Sequence, residues 1–148
     1  MLRIFKLLLA VGVMTLSGCG QVEWNLTNGE QKSIDDYRGR WLVINYWATW
    51  CKPCLEEIPE LNLLNKRDDT EVLGVNFDEL QGEELVSQAE NLGIAYKMIA
   101  DDPSKALDIQ RPRALPATVL IDKKGGVREV LYGPQTVASI LSRFALLE

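Results

Sequence analysis

The sequence predicts an α/β fold in which helices flank a mixed central β-sheet. Short apolar runs rich in β-branched and aromatic residues are typical of strands buried on both faces, and they alternate with segments whose apolar residues recur at helical spacing. Near the C-terminus two such runs are separated by a glycine-containing turn, which predicts a hairpin. Alternating strands and helices imply parallel crossover connections, and the hairpin adds antiparallel strands. The predicted order is β-α-β-α-β-β-α, in one domain.

The boundaries of the elements follow from apolar spacing and turn residues. In chain order we predict a short strand at 24–26, a capped turn at 33–37, a central strand at 41–47, a helix from 52 or 53 to 65, a strand at 72–77, a helix at 83–92, a short strand at 96–100, a brief helix beginning at 104, strands at 117–121 and 127–132, and a last helix at 136–147. Pro53 suits the first turn of a helix, where its missing N–H has no cost. Gly93 ends the second helix, and residues 122–126 form the hairpin turn.

The first eighteen residues have the layout of a secretory signal peptide. Arg3 and Lys6 precede an apolar run that is short for a membrane span. The run leads to Leu-Ser-Gly-Cys at 16–19, which resembles the bacterial lipobox, in which the signal is cut before Cys and that Cys is lipidated. We therefore expect a lipoprotein signal peptide at 1–18, a lipidated Cys19, and a folded domain at 19–148 whose first residues, 19–23, are a short tether. An uncleaved anchor, or secretion with a free Cys19, are the alternatives.

A lipidated Cys19 would leave two thiols in a compartment where disulfides persist. The lipid would hold the protein at the periplasmic face of a membrane without spanning it. Gly20 stands where Asp is the usual inner-membrane retention signal, which favours the outer membrane over the inner one. Removal of Arg3 and Lys6 leaves 14 cations against 21 acidic residues, a net charge of −7. An acidic chain without a basic cluster argues against nucleic acid as a partner.

The stretch Trp-Cys-Lys-Pro-Cys at 50–54 carries the chemistry of the sequence. Cys51 and Cys54 span one helical turn, so they can close and reopen a disulfide and carry two electrons. A structural zinc site needs four ligands, whereas this chain has no His and only one other Cys. An inert bridge is the other alternative, although bridges that close short loops stabilise little. Cys51 precedes a helix N-terminus, which favours an anion, so we expect Cys51 to attack and Cys54 to resolve.

Three separated motifs resemble the thioredoxin-like superfamily. Residues 43–54 closely resemble the active-site segment of thioredoxins. Residues 55–61, Leu-Glu-Glu-Ile-Pro-Glu-Leu, and the Arg-Gly-Arg run at 38–40 are more similar to the membrane-anchored extracytoplasmic branch of the TlpA and ResA type. Leu-Pro-Ala-Thr at 115–118, followed by an apolar strand, resembles the cis-proline loop of the family. The resemblance covers the chain from about Trp24 to the C-terminus and implies a thioredoxin-like fold.

This resemblance implies roles for several more residues. Pro116 would be the cis-proline that faces the disulfide, and the backbone of its loop, with Leu115, would pair with an extended substrate segment. Trp50 would shield the disulfide and offer a contact surface, with plain packing as the alternative. Glu57, three residues after Cys54, matches a partly buried acid that ResA-type proteins keep near the cysteines. A carboxylate there can accept or shuttle the proton of Cys54, and the alternative is a solvated Glu in the first turn of the helix.

Asn45 departs from the pattern of cytoplasmic thioredoxins, which carry a buried Asp at the matching point. Asn cannot take up a proton, so the proton-handling role shifts to Glu57, and we expect Asn45 to form a hydrogen bond within the core. Glu56 is predicted to be solvated, and Lys52 either supports the thiolate or is solvated. The Arg-Pro-Arg run at 111–113 is predicted to be a solvated loop, with contact to a partner as the alternative.

Together these features predict a lipid-anchored thiol–disulfide oxidoreductase without a metal or organic cofactor. Resemblance to the TlpA and ResA type implies a reductant of selected protein disulfides that draws electrons from a membrane electron transducer. Apocytochrome c thiols, copper-site assembly proteins and repair enzymes are the substrate classes that it suggests. The Lys-Pro pair between the cysteines differs from the Pro-His of strongly oxidising DsbA-type enzymes, which favours a reductase.

A thioredoxin-like metallochaperone that holds Cu(I) on the two thiolates is an alternative from another class. Sco-like copper carriers, however, combine Cys-x-x-x-Cys with a distal His, and this chain has neither. A peroxidase is less consistent still, because a peroxidatic cysteine site does not use this tryptophan-flanked pair.

Overall fold

A computed structural model describes residues 23–148 of the protein. The strands are β1 Glu23–Asn25, β2 Gln31–Ser33, β3 Trp41–Trp47, β4 Thr70–Asn76, β5 Lys97–Ile99, β6 Ala117–Ile121 and β7 Val127–Tyr132, and the helices are α1 Lys52–Leu64, α2 Gly82–Asn91 and α3 Val137–Leu147. The predicted signal peptide and the lipidation site Cys19 lie outside the described residues, and Glu23, the last residue of the predicted tether, is the first of β1. Between residues 23 and 148, no helix has the length and apolar character needed to cross a membrane.

The central sheet is mixed, as the sequence predicts. Its strand order is β5-β4-β3-β6-β7. The pairs β3–β4 and β4–β5 are parallel, whereas β3–β6 and β6–β7 are antiparallel. The first two strands form a separate antiparallel ribbon. Helical crossovers therefore produce the parallel half, and the predicted hairpin produces the antiparallel half.

The central strand β3 is buried along its whole length because both faces of the sheet are covered. Its alternate side chains enter two apolar clusters. Trp41 lies in the cluster that includes residues of α1 and α3, and its indole stacks on Phe144 with ring centroids 4.1 Å apart. Leu42 and Tyr46 lie in the cluster on the opposite face. Side chains of a strand point to alternate faces, so Asn45, four residues after Trp41, points toward α1.

Three loops meet at one end of the sheet, where strands β3 and β4 terminate. Parallel strands β3 and β4 both end there, and the loop after β3 leads to Cys51 while the loop after β4 begins with Phe77, whose N–H donates to the Trp47 carbonyl at 2.8 Å. The antiparallel β6 begins at the same end, because Ala117 pairs with Tyr46. This topology brings together segments that are far apart in the sequence.

The brief helix predicted to begin at Ser104 is an isolated turn, so that prediction is wrong. The N–H of Leu107 donates to the Pro103 carbonyl at 2.9 Å, but no second helical turn follows. Asp108 has a φ of +53°, which lies in the left-handed region and stops a right-handed helix. The predicted bounds of the three long helices agree with the structure to within one residue.

Candidate active site

The two cysteines form a disulfide at the start of α1. Their sulfur atoms are 2.05 Å apart, and 4% of Cys51 and 1% of Cys54 are exposed. Cys51 is the N-cap residue of α1, and its Sγ accepts a hydrogen bond from the Cys54 N–H at 3.3 Å. A sulfur at this position is close to the unpaired N–H groups of the first helical turn, which favour a negative charge. The local structure therefore suits Cys51 as a thiolate when the bond is reduced.

The loop before β6 reaches the same end of the sheet. The peptide bond between Leu115 and Pro116 is cis, and Leu115 packs against the apolar cluster that contains both cysteines. The Pro116 carbonyl accepts a hydrogen bond from the Gly133 N–H at 3.0 Å. The backbone N–H and C=O of Leu115 make no hydrogen bond to any residue between 23 and 148. Leu115 therefore leaves a backbone N–H and C=O unpaired in the loop before β6, at the end of the sheet to which the loop with Cys51 also belongs.

Trp50 is a fixed but exposed aromatic group next to the disulfide. Its side chain is 64% exposed, so it does not pack in the core. The indole N–H donates to Asp78 Oδ2 at 2.8 Å, and the ring meets Phe77 edge to face with centroids 6.4 Å apart. Both contacts come from the loop after β4. The structure thus holds the indole in one orientation while its surface remains accessible.

Arg111 is half-buried, which corrects its prediction as part of a solvated loop. Its Nε donates to Asp102 at 2.5 Å, its Nη2 donates to the Phe77 carbonyl at 2.6 Å, and its guanidinium lies 4.4 Å from the centre of the Phe77 ring. It also pairs with Glu79 at 3.3 Å. Arg113 is exposed, as predicted. Arg111 therefore connects the beginning of the cis-proline loop to the loop after β4, which contacts Trp50.

Asp102 is the anionic centre of this anchoring. Burial acts to raise its pKa, but hydrogen bonds from Ser104, Arg111 and Tyr46 outweigh burial and hold the pKa of Asp102 below its usual range. The Tyr46 hydroxyl donates to Oδ1 at 3.0 Å. Tyr46 itself is fully buried on the central strand. The carboxylate is therefore charged at neutral pH and available to pair with Arg111.

Glu57 is buried in the core although it carries a titratable carboxyl group. Only 1% of the residue is exposed. Oε1 accepts a hydrogen bond from Asn45 Nδ2 at 2.6 Å, and Oε2 accepts one from the backbone N–H of Gln135 at 2.8 Å. Burial raises the pKa of Glu57 to about 7, although the hydrogen bonds from Gln135 and Asn45 lower it. Because Cys54 is buried on α1 three residues earlier, the two side chains share one face of the helix.

Asn45 connects Glu57 to a tyrosine from a different part of the chain. The Tyr96 hydroxyl donates to Asn45 Oδ1 at 3.4 Å, and Asn45 Nδ2 also lies 3.5 Å from Thr118 Oγ1. Only 4% of Tyr96 is exposed, and burial, with the nearby Glu57, raises its pKa. No sequence motif marks Tyr96 as a site residue. The available signal was a tyrosine at the edge of an apolar stretch, since a buried hydroxyl usually has a partner.

Other predicted residues lie where the sequence placed them or carry no added contact. Glu56 and Lys52 are exposed on the first turns of α1. Trp47 is fully buried beneath the site. Between residues 23 and 148, no group of three or more His, Cys, Asp or Glu side chains is arranged to hold a metal ion.

The sequence is similar to proteins that are named as thiol-disulfide oxidoreductases or as thioredoxin-like proteins. The protein is 36% identical over 117 residues to the thiol-disulfide oxidoreductase ResA of Geobacillus kaustophilus, which is 76% of this chain and 66% of that protein. It is 30% identical over 113 residues to the thioredoxin-like protein YneN of Bacillus subtilis, or 74% of this chain and 66% of that protein. The chain therefore spans just under two thirds of the length of these relatives.

Solved structures show the same fold. The pneumococcal exposed lipoprotein thioredoxin of Streptococcus pneumoniae superposes with a TM-score of 0.70 at 26% identity, over 84% of this chain and 98% of that one. A DsbF homologue from Corynebacterium diphtheriae superposes with a TM-score of 0.71 at 23% identity, over 86% of this chain and 84% of that one. Residues 19–130 match the model of the AhpC/TSA family. The chain is therefore a member of the AhpC/TSA family with a thioredoxin-like fold.

Proposed function

We propose that the protein is an extracytoplasmic thiol–disulfide oxidoreductase that reduces selected protein disulfides through Cys51 and Cys54. The observation that carries this proposal is the cysteine pair at the N-terminus of α1, beside a cis-proline loop with unpaired backbone. Names of relatives support the chemistry, since several are thiol-disulfide oxidoreductases. A structural bridge would need neither an adjacent binding surface nor a buried acid one turn away.

The reaction begins with the reduced pair. The Cys51 thiolate attacks one sulfur of a partner's disulfide, so a mixed disulfide forms and the other sulfur of the partner leaves as a thiolate. Cys54 gives its proton to Glu57 and attacks the Cys51 sulfur, which closes the Cys51–Cys54 bond and releases the second partner thiolate. Two electrons pass from the cysteine pair to the partner, whose two thiolates take up protons. A membrane electron-transducing reductant then restores the thiols.

The surface beside the disulfide fits an extended segment of a partner protein. The free backbone N–H and C=O of Leu115 can pair with such a segment as an added strand. Pro116 has no N–H and its carbonyl is occupied by Gly133, so pairing is assigned to Leu115. The exposed face of Trp50 would then contact side chains that flank the partner's cysteine.

The proposed location is the periplasmic face of a bacterial membrane, with the outer membrane favoured. A lipid on Cys19 would anchor the chain, after cleavage of residues 1–18, a few residues before β1. Replacement of Cys19 by Ala should move the protein from the membrane fraction to the soluble fraction. The proposed substrates are disulfides formed by protein thiols such as those of apocytochrome c. The protein would then act in cytochrome c maturation.

The direction of electron flow is tested by the redox state of Cys51 and Cys54 in growing cells. Thiol trapping should show mostly reduced cysteines in the presence of the membrane reductant and oxidised cysteines after its deletion. A Cys51→Ser Cys54→Ser protein provides the zero-label control. Cysteines that are oxidised under both conditions would refute the reductase role.

A further inference from the structure

We infer that Asn45 and Tyr96 are positioning residues that hold the Glu57 carboxylate in the orientation required for proton exchange with Cys54. This inference rests on the proposed function, because it concerns the same proton transfer. It stands on a chain of buried hydrogen bonds from Tyr96 to Asn45 to Glu57.

The orientation of the Asn45 amide decides which of its two polar ends faces Glu57. A side-chain amide has a donor end and an acceptor end, and only the donor end can hold a carboxylate. The Tyr96 hydroxyl donates to Oδ1, so the Nδ2 end faces Glu57. Burial raises the pKa of Tyr96, which keeps the hydroxyl protonated and therefore a donor at neutral pH. The Tyr96 hydroxyl thus stabilises the amide orientation in which Nδ2 faces Glu57.

Both oxygens of the Glu57 carboxylate accept a hydrogen bond. Asn45 Nδ2 occupies Oε1 at 2.6 Å and the Gln135 N–H occupies Oε2 at 2.8 Å, so the group has a donor on each oxygen. Two donors favour the charged form and oppose the effect of burial. The Glu57 carboxyl group is therefore held between β3 and the start of α3. It lies on the face of α1 that also carries Cys54.

The groups around Glu57 come from each element packed against it. The sheet presents Asn45 and Thr118, which do not titrate, and the segment before α3 presents a backbone N–H from Gln135. Tyr96 is the titratable group from the loop before β5. Cys54 becomes titratable only after the disulfide is reduced. A titration of the oxidised protein therefore reports Glu57 without interference from the thiols.

The test is a pH titration of Glu57 in the oxidised protein, monitored by NMR of side-chain 13C-labelled glutamate. Tyr96→Phe removes one hydroxyl, so the Asn45 amide is free to turn its oxygen toward Glu57 and favour the protonated acid. The Glu57 midpoint should rise by about 0.5 to 1 pH unit, a roughly three- to tenfold gain in proton affinity. Tyr37→Phe is the matched control, because it removes a buried hydroxyl in the cluster on the other face of the sheet. It should leave the midpoint unchanged.

A second variant tests the amide directly. Asn45→Asp places another carboxyl group against Oε1, so the pair should titrate in two coupled steps instead of one. A Glu57 midpoint in Tyr96→Phe equal to that of the wild type, or a single unshifted step in Asn45→Asp, would overturn the inference. Neither result would bear on the disulfide exchange itself, which is measured separately by turnover of the cysteine pair.

Discussion

Glu57 is a carboxyl group that the fold buries almost completely and stabilises with N–H donors. Among the ion pairs within residues 23–148, none involves this side chain. Burial disfavours the charged form, whereas the N–H groups of Gln135 and Asn45 favour it, and the balance gives a pKa of about 7. A group with this pKa can both accept and release a proton near neutral pH.

Replacement of Glu57 by Gln should slow the reduction of protein disulfides. Gln cannot take the proton of Cys54, so the rate at neutral pH should fall about a hundredfold, the lower limit for general base catalysis. The inflection near pH 7 in the pH–rate profile should also disappear. Glu56→Gln is the matched control, since this neighbouring carboxylate is exposed, and it should keep the wild-type profile. A Glu57→Gln enzyme with the wild-type profile would remove Glu57 from the mechanism.

At the residue scale, the sequence marks the cysteines and Glu57 as candidate site residues because they share one local motif. The sequence also predicts a core hydrogen bond for Asn45, but Tyr96 and Gln135 have no such local signal. Asn45 and Tyr96 are 51 residues apart, and Glu57 and Gln135 are 78 residues apart. Their contacts depend on the packing of α1 and α3 against the sheet, so only the folded chain reveals them.

Arg111 shows how one element holds another at the active site. Replacement of Arg111 by Lys keeps the charge but loses the planar guanidinium that contacts Asp102, the Phe77 carbonyl and the Phe77 ring. We expect a loss of about 1–3 kcal/mol in the free energy of unfolding, measured with urea. Arg113→Lys alters an exposed side chain two residues away and should change the free energy by less than about 0.5 kcal/mol. Equal effects of the two substitutions would contradict the anchoring role of Arg111.

Trp50 should contribute to recognition of protein partners and not to the stability of the fold. Trp50→Ala removes an exposed indole beside the disulfide, so KM for a protein disulfide should rise about tenfold, as for an aromatic contact worth more than 1 kcal/mol. Reduction of a small aromatic disulfide should change little. Leu63→Ala, at an exposed apolar position near the other end of α1, is the control. Parallel losses with both substrates would show that Trp50 acts on the disulfide itself.

At the element scale, the sequence predicts the long helices and the central strands because their signals are periodic and local. It fails for the segment between β5 and β6. Ser104 to Leu107 has helix-compatible residues, and Asp102 accepts the Ser104 N–H as a helix N-cap would, yet the positive φ of Asp108 ends the segment after one turn. The same carboxylate also holds Arg111, which the sequence placed in solvent. Side-chain anchoring thus decides the path of this loop.

The whole molecule should be less stable at alkaline pH because of one buried acid. Folding raises the pKa of Glu57 from 4.5 to about 7, so the folded protein binds this proton more tightly than the unfolded chain does. The contribution is fully present below pH 4.5 and is lost as the pH rises through 7. The free energy of unfolding of the wild type, relative to Glu57→Gln, should fall by up to about 3 kcal/mol over this range. Urea titrations of the wild type and of Glu57→Gln at several pH values measure it; a pH-independent difference between the two would be inconsistent with a buried neutral Glu57.

The whole fold works as a platform that brings three loops to one end of the sheet. Strand order and direction place the cysteine pair, the Phe77 loop and the cis-proline loop together, although they are separated by many residues in the chain. The sequence predicts this class of fold from the alternation of its elements and from its motifs. The ties between the loops come from Trp50, Arg111 and Asp102, and they require the packed structure.

In the proposed reaction, Cys51 attacks a partner's disulfide and Cys54 resolves the mixed disulfide. The most direct test is covalent trapping in cells that express Cys54→Ser or Cys51→Ser protein, with complexes separated on gels before and after treatment with reductant. Cys54→Ser should accumulate partner proteins in complexes that the reductant dissolves, because Cys51 attacks but nothing releases it. Cys51→Ser should accumulate none. Complexes that form with Cys51→Ser and not with Cys54→Ser would contradict this order of attack.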